Sequence, residues 1–349
     1  MISVASQFHF SSIQINRPKF ILFQPNCFSF PPLLQSIKRM NFKEVKYEVD
    51  AVNHIAHLRL SRPDRMNAYT VLMAKEIVQC VDLANRDDLV RVVILSGDPE
   101  GKAFCAGADL SPHGFAELTS LDVESREKIG MSGSSAWRDP GGLAALALLR
   151  CRKVVIAAIN GNAVGIGITL PLAADIRIVK SDARIGFVFC RRGIAPEACS
   201  TVLLQRIVSR SKALEWIITG RVFTAGEAKD TGLFNEVIEG DSAAVLARAV
   251  AVAKEIATYV SPKSIAISKA LLLSGLTSTL EQAHLDESRV LHHVFLGEDC
   301  QEGVMSFFER RPPKFEGSAW RDMPEAFPWD GSRQTINPID AQSLITSKL

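Results

Sequence analysis

Two stretches of this sequence can do chemistry with backbone rather than side chains. Lys153-Val154-Val155-Ile156 is an apolar, β-branched run that reads as a buried strand; the chain then breaks at Asn160-Gly161-Asn162 and resumes at helix-compatible spacing after Gly165 and Gly167. A strand, a glycine-rich turn and a helix start leave unpaired N–H groups at the helix N-terminus, where partial positive charge favours an anion or a developing oxyanion. Ala103-Phe104-Cys105-Ala106-Gly107-Ala108-Asp109-Leu110 repeats the layout behind a strand at residues 90–95 and the loop 96–102. Two such turns, brought together, supply two backbone donors to one oxygen.

Plainer readings of the central stretch are weaker. Residues 154–174 contain no charge and have the length of a membrane span, with Gly161 and Gly165 as its small face, but Asn-Gly-Asn and Pro171 interrupt it. A dinucleotide fingerprint fails because Leu170 stands where a third glycine belongs and no acidic residue follows at the expected distance. A tight turn in a buried α/β core fits this stretch alone equally well, and the second turn is what favours a site.

Length and composition narrow the class. The 349 residues, 47% hydrophobic, suffice for a sizeable core. A net charge of +2 and a pI near 8.1 are too mild for a nucleic-acid-binding face. Seven scattered cysteines with no C-x-x-C pair signal neither a disulfide framework nor a zinc site, and read as reduced intracellular thiols. His54 and His57 fall on opposite faces of a strand-like segment and His292-His293 are adjacent on a helix, so no metal site is expected.

The elements that must position the turns follow from periodicity. Residues 42–59 read as strand, turn and strand; Thr70 caps a helix with apolar positions at Val71, Leu72, Ile77, Val78, Val81 and Leu83; residues 111–142 are polar and glycine-rich, with a weak helical stretch at 123–128; and 143–149 is a short apolar helix. Residues 175–179 and 183–187 are short strands. From Thr201 the pattern is helical almost throughout, with Thr224-x-x-Glu227 as a capping box opening a helix to Asp230, and helices at 242–260, 261–274 and 280–296. Repeated strand and helix units predict an α/β fold of stacked ββα turns.

With Leu60-Ser61-Arg62-Pro63-Asp64-Arg65-Met66-Asn67-Ala68 upstream, the two turns resemble the enoyl-CoA hydratase/isomerase family, the crotonase superfamily, over residues 45–315. The resemblance implies a spiral of ββα units over residues 41–200 holding a CoA-thioester site, a helical C-terminal region over 201–315 that trimerises, and a polar tail over 316–349. It implies that the backbone N–H groups of Ala108 and Ile166 hold the thioester oxygen of an acyl-CoA substrate, and that Ala106, Ala108, Asp109 and Leu110, with Phe307 and Arg310 from the segment 302–311, meet CoA. No cofactor beyond the CoA of the substrate and no metal is implied; the expected partners are the substrate and further copies of the chain, as a homotrimer or dimer of trimers, without nucleic acid or membrane span.

The sequence departs from the family at the catalytic side chains. Where family hydratases carry two glutamates, this chain has Thr169 and Phe189, neither able to shuttle a proton at neutral pH. Pro196-Glu197-x-Cys199-Ser200 instead resembles the segment carrying the base of family enoyl-CoA isomerases. Glu197 is therefore the expected acid–base residue and Thr169 an auxiliary. An isomerase leads, ahead of a hydratase, a thioester hydrolase and a non-catalytic CoA-binding paralogue. Residues 1–40 read as a disordered or non-native leader, and Ser347-Lys348-Leu349 as a peroxisomal address read by an import receptor.

Overall fold

The computed structural model describes residues 42–119 and 138–324; the leader, the helical stretch at 123–128 and the tail with Ser347-Lys348-Leu349 lie outside the described residues. Ten strands form two sheets. The larger has the order β1-β2-β3-β5-β7-β10, from Val45–Asp50, Ile55–Leu60, Val92–Gly97, Val154–Ile159, Ile176–Lys180 and Glu236–Ile238; the smaller has the order β4-β6-β8-β9, from Ala103–Cys105, Asn162–Val164, Arg184–Gly186 and Val222–Thr224. The hairpin β1–β2 and the pair β8–β9 are antiparallel, and every other neighbouring pair is parallel.

The connectivity explains the site. In three successive turns of chain, β3/β4, β5/β6 and β7/β8, the first strand enters the large sheet and the second the small one. Stacked turns place equivalent points of consecutive layers in register, with Val92 beside Val154 in one sheet and Cys105 beside Ala163 in the other. Whatever follows β4 must therefore lie against whatever follows β6. This is the crotonase spiral, with a helical C-terminal region attached.

Helix α1 (Val71–Arg86) begins at Thr70, whose hydroxyl accepts the N–H of Met73, and buries Met73, Ala74, Ile77, Cys80, Val81 and Ala84 at helical spacing against the large sheet. Glu76, also buried, has its charge answered by the N–H groups of Lys43, Glu44 and Val45, which fixes the start of β1. Helices α2 (Pro112–Thr119) and α3 (Pro140–Leu149) flank the second spiral turn, a single helical turn α4 (Ile166–Thr169) follows β6, and α5 (Ser200–Ile207) and α6 (Arg210–Thr219) follow β8. On the other face of the large sheet, α7 (Ser242–Tyr259) lays Val245, Ala249, Ala253 and Ala257 over Ile55, Val92, Ile94, Val154, Ile156 and Ile178. Spacing of four with small side chains lets this helix approach closely. Helices α8 (Pro262–Gly275), α9 (Leu280–Phe295) and α10 (Glu298–Glu309) complete the C-terminal part.

The region after Thr201 is less uniformly helical than its sequence pattern. Strands β9 and β10 interrupt it and return to the two sheets. The capping box at Thr224 also takes another form: the Thr224 hydroxyl does accept the Glu227 N–H at 3.3 Å, but Gly226–Thr231 is a 3-10 helix, and Glu227 pairs with Arg221 at 2.6 Å instead of returning to Thr224. Arg221, immediately before β9, outcompetes the reciprocal cap.

Candidate active site

The first turn is held by the motif upstream of it. Met66 and Asn67 both take left-handed φ values, 52° and 53°, and this double reversal aims the Asn67 side chain inward, where it accepts from the Arg62 N–H at 2.9 Å and donates to the Ala103 carbonyl at 2.8 Å. Arg62 in turn grips Asp109 at 2.9 Å, Glu44 at 3.2 Å and the Ala68 carbonyl at 2.6 Å. Hydrogen bonds from Ser111 and Arg62 outweigh burial and hold the Asp109 carboxyl down at about 2, so Asp109 stays ionised near neutral pH. Tyr69 brackets the turn by donating its N–H to Gly107 and accepting that of Asp109, both at 2.8 Å. Between those two bonds the Ala108 N–H is left without a partner among the described residues.

The second turn presses against the first. A Cβ on Gly167 would overlap the Cys105 carbonyl oxygen, one on Gly107 would sit 3.1 Å from the Val164 carbonyl, and Gly107 and Gly165 have φ values of +107° and +59° that favour glycine. The glycines are thus required by close approach. Ile166 opens the helical turn α4, so its N–H has no intrahelical acceptor, and it follows Gly165, which lies against Gly107 of the first turn.

Glu197 closes this site. Its Oε1 accepts the hydroxyl of the fully buried Thr169 at 2.5 Å. Its Oε2 lies over Gly141 so closely that a Cβ there would overlap it, and the same Cβ would be 2.6 Å from Cδ1 of Ile166, which sets the carboxyl beside the residue bearing the second donor. Burial pushes the Glu197 carboxyl up to about 7; the Thr169 hydrogen bond opposes the shift, while the charge and contact of Asp139 add to it. Tyr69 and Cys105 face the same space, and burial drives both of their pKa values upward, that of Cys105 to about 12, so neither competes as a base. Immediately after Glu197, Ala198 and Cys199 take φ values of 55° and 58°. Left-handed backbone at two non-glycine residues costs on the order of 1–3 kcal/mol each, tolerated where surrounding structure fixes a functional group.

The structure thus brings together Ala106, Ala108, Ile166, Thr169 and Glu197, with Asp109 bound to Arg62 and Leu110 exposed at the edge of the first turn. Phe189, at the other glutamate position, is core. Phe307 and Arg310 stand apart: Phe307 on α10 is 77% exposed, Arg310 at the C-terminal cap of that helix is exposed too, and no described contact links them to either turn. Ordinary core packing therefore does not account for Phe307. Sequence reasoning missed Asp139, Gly141 and Tyr69. Asp139-Pro140 is a legible helix start, and Asp139 does cap α3, but its meeting with a glutamate 58 positions later is a product of the spiral.

Comparison with known proteins agrees with this geometry. Residues 50–318 match the family model described as enoyl-CoA hydratase/isomerase. The enoyl-CoA hydratase ACTT3 of Alternaria alternata is 39% identical over 262 residues, covering 75% of this chain and 83% of the relative. The probable enoyl-CoA hydratase echA8 of Mycobacterium leprae is 32% identical over 274 residues, 78% of this chain and 99% of that one. Among solved structures, the enoyl-CoA hydratase of Bacillus anthracis superposes with a TM-score of 0.68 at 28% identity, covering 79% of this chain and 100% of that one. With a family match over residues 50–318 that spans both glycine turns and Glu197, the chain belongs to the enoyl-CoA hydratase/isomerase family.

Proposed function

We propose that this protein moves a proton on an unsaturated acyl-CoA thioester through an enolate, with Glu197 as the single acid–base group, and that double-bond isomerisation is its leading reaction. The observation that carries the reading is the Glu197 carboxyl, buried, held by Thr169 and raised to about 7 beside the residue that carries the second donor. A group that is half protonated near neutrality can take a proton and give it back. In a 3-enoyl-CoA the Glu197 carboxylate removes a proton from C2, and the electron pair spreads onto the thioester oxygen, where the N–H groups of Ala108 and Ile166 stabilise it by roughly 3 kcal/mol each. The same proton returns at C4, and the double bond ends between C2 and C3. No cofactor is needed beyond the CoA of the substrate.

Hydration is the second reading, favoured by the relatives named enoyl-CoA hydratases. There Glu197 would take a proton from water as its oxygen adds at C3 and return that proton at C2. Ser347-Lys348-Leu349 supports a peroxisomal setting and an import receptor as partner. Ultraviolet absorbance of the conjugated thioester separates the readings. A rise with 3-enoyl-CoA is the expected result; a fall with 2-enoyl-CoA would make the enzyme a hydratase; free thiol release would make it a thioester hydrolase. No change with either substrate would leave a CoA-binding paralogue without turnover.

A further inference from the structure

We propose that Asp139, which no family motif in the sequence marks, is a positioning residue for Glu197: it holds the glutamate's backbone on one side and shares a single proton with its carboxyl on the other. Asp139 precedes Pro140 and Gly141 at the start of α3, and its Oδ1 accepts the N–H of Gly142, as a helix cap does. A cap needs only that bond. This oxygen also accepts the N–H of Ala198 at 3.3 Å, across the chain and immediately after Glu197, where the backbone takes its first left-handed step. The Asp139 and Glu197 carboxyl groups crowd the same space over Gly141, and two carboxyl groups that meet there repel unless one carries a proton. Gly141 makes room for the pair: a Cβ there would overlap Glu197 Oε2 and stand 3.2 Å from Asp139 Oδ1.

The shared proton belongs to Glu197, because Asp139 Oδ1 already accepts two N–H groups. Among the described residues, the other groups facing Glu197 are Thr169 from α4, Tyr69 from the loop before α1 and Cys105 from β4; Cys199 adjoins it and is faced by Arg150 at the end of α3. Of these, only Asp139 is a second carboxyl. Asp139 therefore adds to the rise that burial imposes on Glu197. The inference rests on the reading of Glu197 as the acid–base group, and refines it.

The test is an infrared titration of the full-length protein, following the carbonyl stretch of the protonated carboxyl that disappears in Glu197→Gln. Asp139→Asn and Asp139→Ser both retain a capping side chain and remove the charge. Both should lower the midpoint of the Glu197 band by about half a pH unit or more, with the same displacement in the pH profile of kcat/KM. A midpoint that stays or rises in both variants overturns the proposal and leaves Asp139 a helix cap. The reading beneath it fails differently: if Glu197→Gln keeps full activity, Glu197 is not the acid–base group, while the infrared titration still reports whether the two carboxyls share a proton.

Discussion

Glu197 lies where two demands conflict, and the conflict gives it a measurable signature. Its carboxyl rises to about 7 in the folded protein from a reference of 4.5, so the folded state binds the proton more tightly than the unfolded one. The stability this provides is fully present below the unfolded value and is lost as pH rises through the folded one, a change on the order of 3 kcal/mol between pH 4.5 and pH 7 to 8. Glu197→Gln has nothing to ionise. It should lower kcat by about 10²–10⁴-fold with little change in acyl-CoA binding, because the thioester is held by backbone donors. Its thermal midpoint, measured by calorimetry, should exceed that of the native protein at pH 8 and converge with it near pH 5. Equal pH dependence of the two melting curves would mean that the glutamate is not held in its protonated form. At this scale the sequence was informative where a motif carried the residue: Pro196-Glu197-x-Cys199-Ser200 singled out Glu197, and the separately chosen Thr169 proves to be hydrogen-bonded to it. Asp139 was invisible because its role depends on a contact with Ala198 across the fold, and no local spacing encodes that.

The site is made by registering elements against one another, and the glycines are where registration is tightest. Gly167 has no room for a methyl group because the Cys105 carbonyl stands there, and that carbonyl belongs to a backbone already paired with β6. Gly167→Ala must therefore part the turn after β4 from the turn after β6. It should cost about 1–3 kcal/mol of stability, as overpacking does, and reduce kcat/KM by about 10²-fold or more if the Ala108 and Ile166 donors separate. Chemical denaturation and steady-state kinetics on one preparation check both halves. Loss of stability without loss of activity would show that the donors need not be so close. The strands that build this register were legible where they were long or fully apolar, as in Val154–Ile159. The three-residue strands β9 and β10 were not, because Val222–Thr224 and Glu236–Ile238 hold too few residues to show a period, and pairing with β8 and β7 decides their conformation. The motif at residues 60–68 identified the family before its purpose was visible: Asn67 and Arg62 brace the first turn from behind.

At the scale of the whole molecule, the largest group of exposed apolar side chains among the described residues falls on the last three helices. Leu280 is 86% exposed, Leu272 76% and Leu296 72%, and Phe307 and Phe308 meet edge to face at 5.7 Å in the open. All lie on or beside α8, α9 and α10, whereas α7 is well seated on the large sheet. Scattered apolar residues on a surface are ordinary, but a cluster confined to neighbouring helices marks an interaction surface. A second copy is the occupant that the family resemblance implies, and with it a place for Phe307 and Arg310, which contact neither turn of their own chain. We therefore expect the protein to self-associate at micromolar concentration, with light scattering giving about three times the 38.2 kDa of one chain. Phe307→Asp with Phe308→Asp should lower that mass or, where assembly persists, raise KM for acyl-CoA while leaving kcat within about twofold, because no described contact links α10 to Glu197. A native protein that scatters as a monomer would remove the expectation, and would also remove the reason to place Phe307 and Arg310 at CoA.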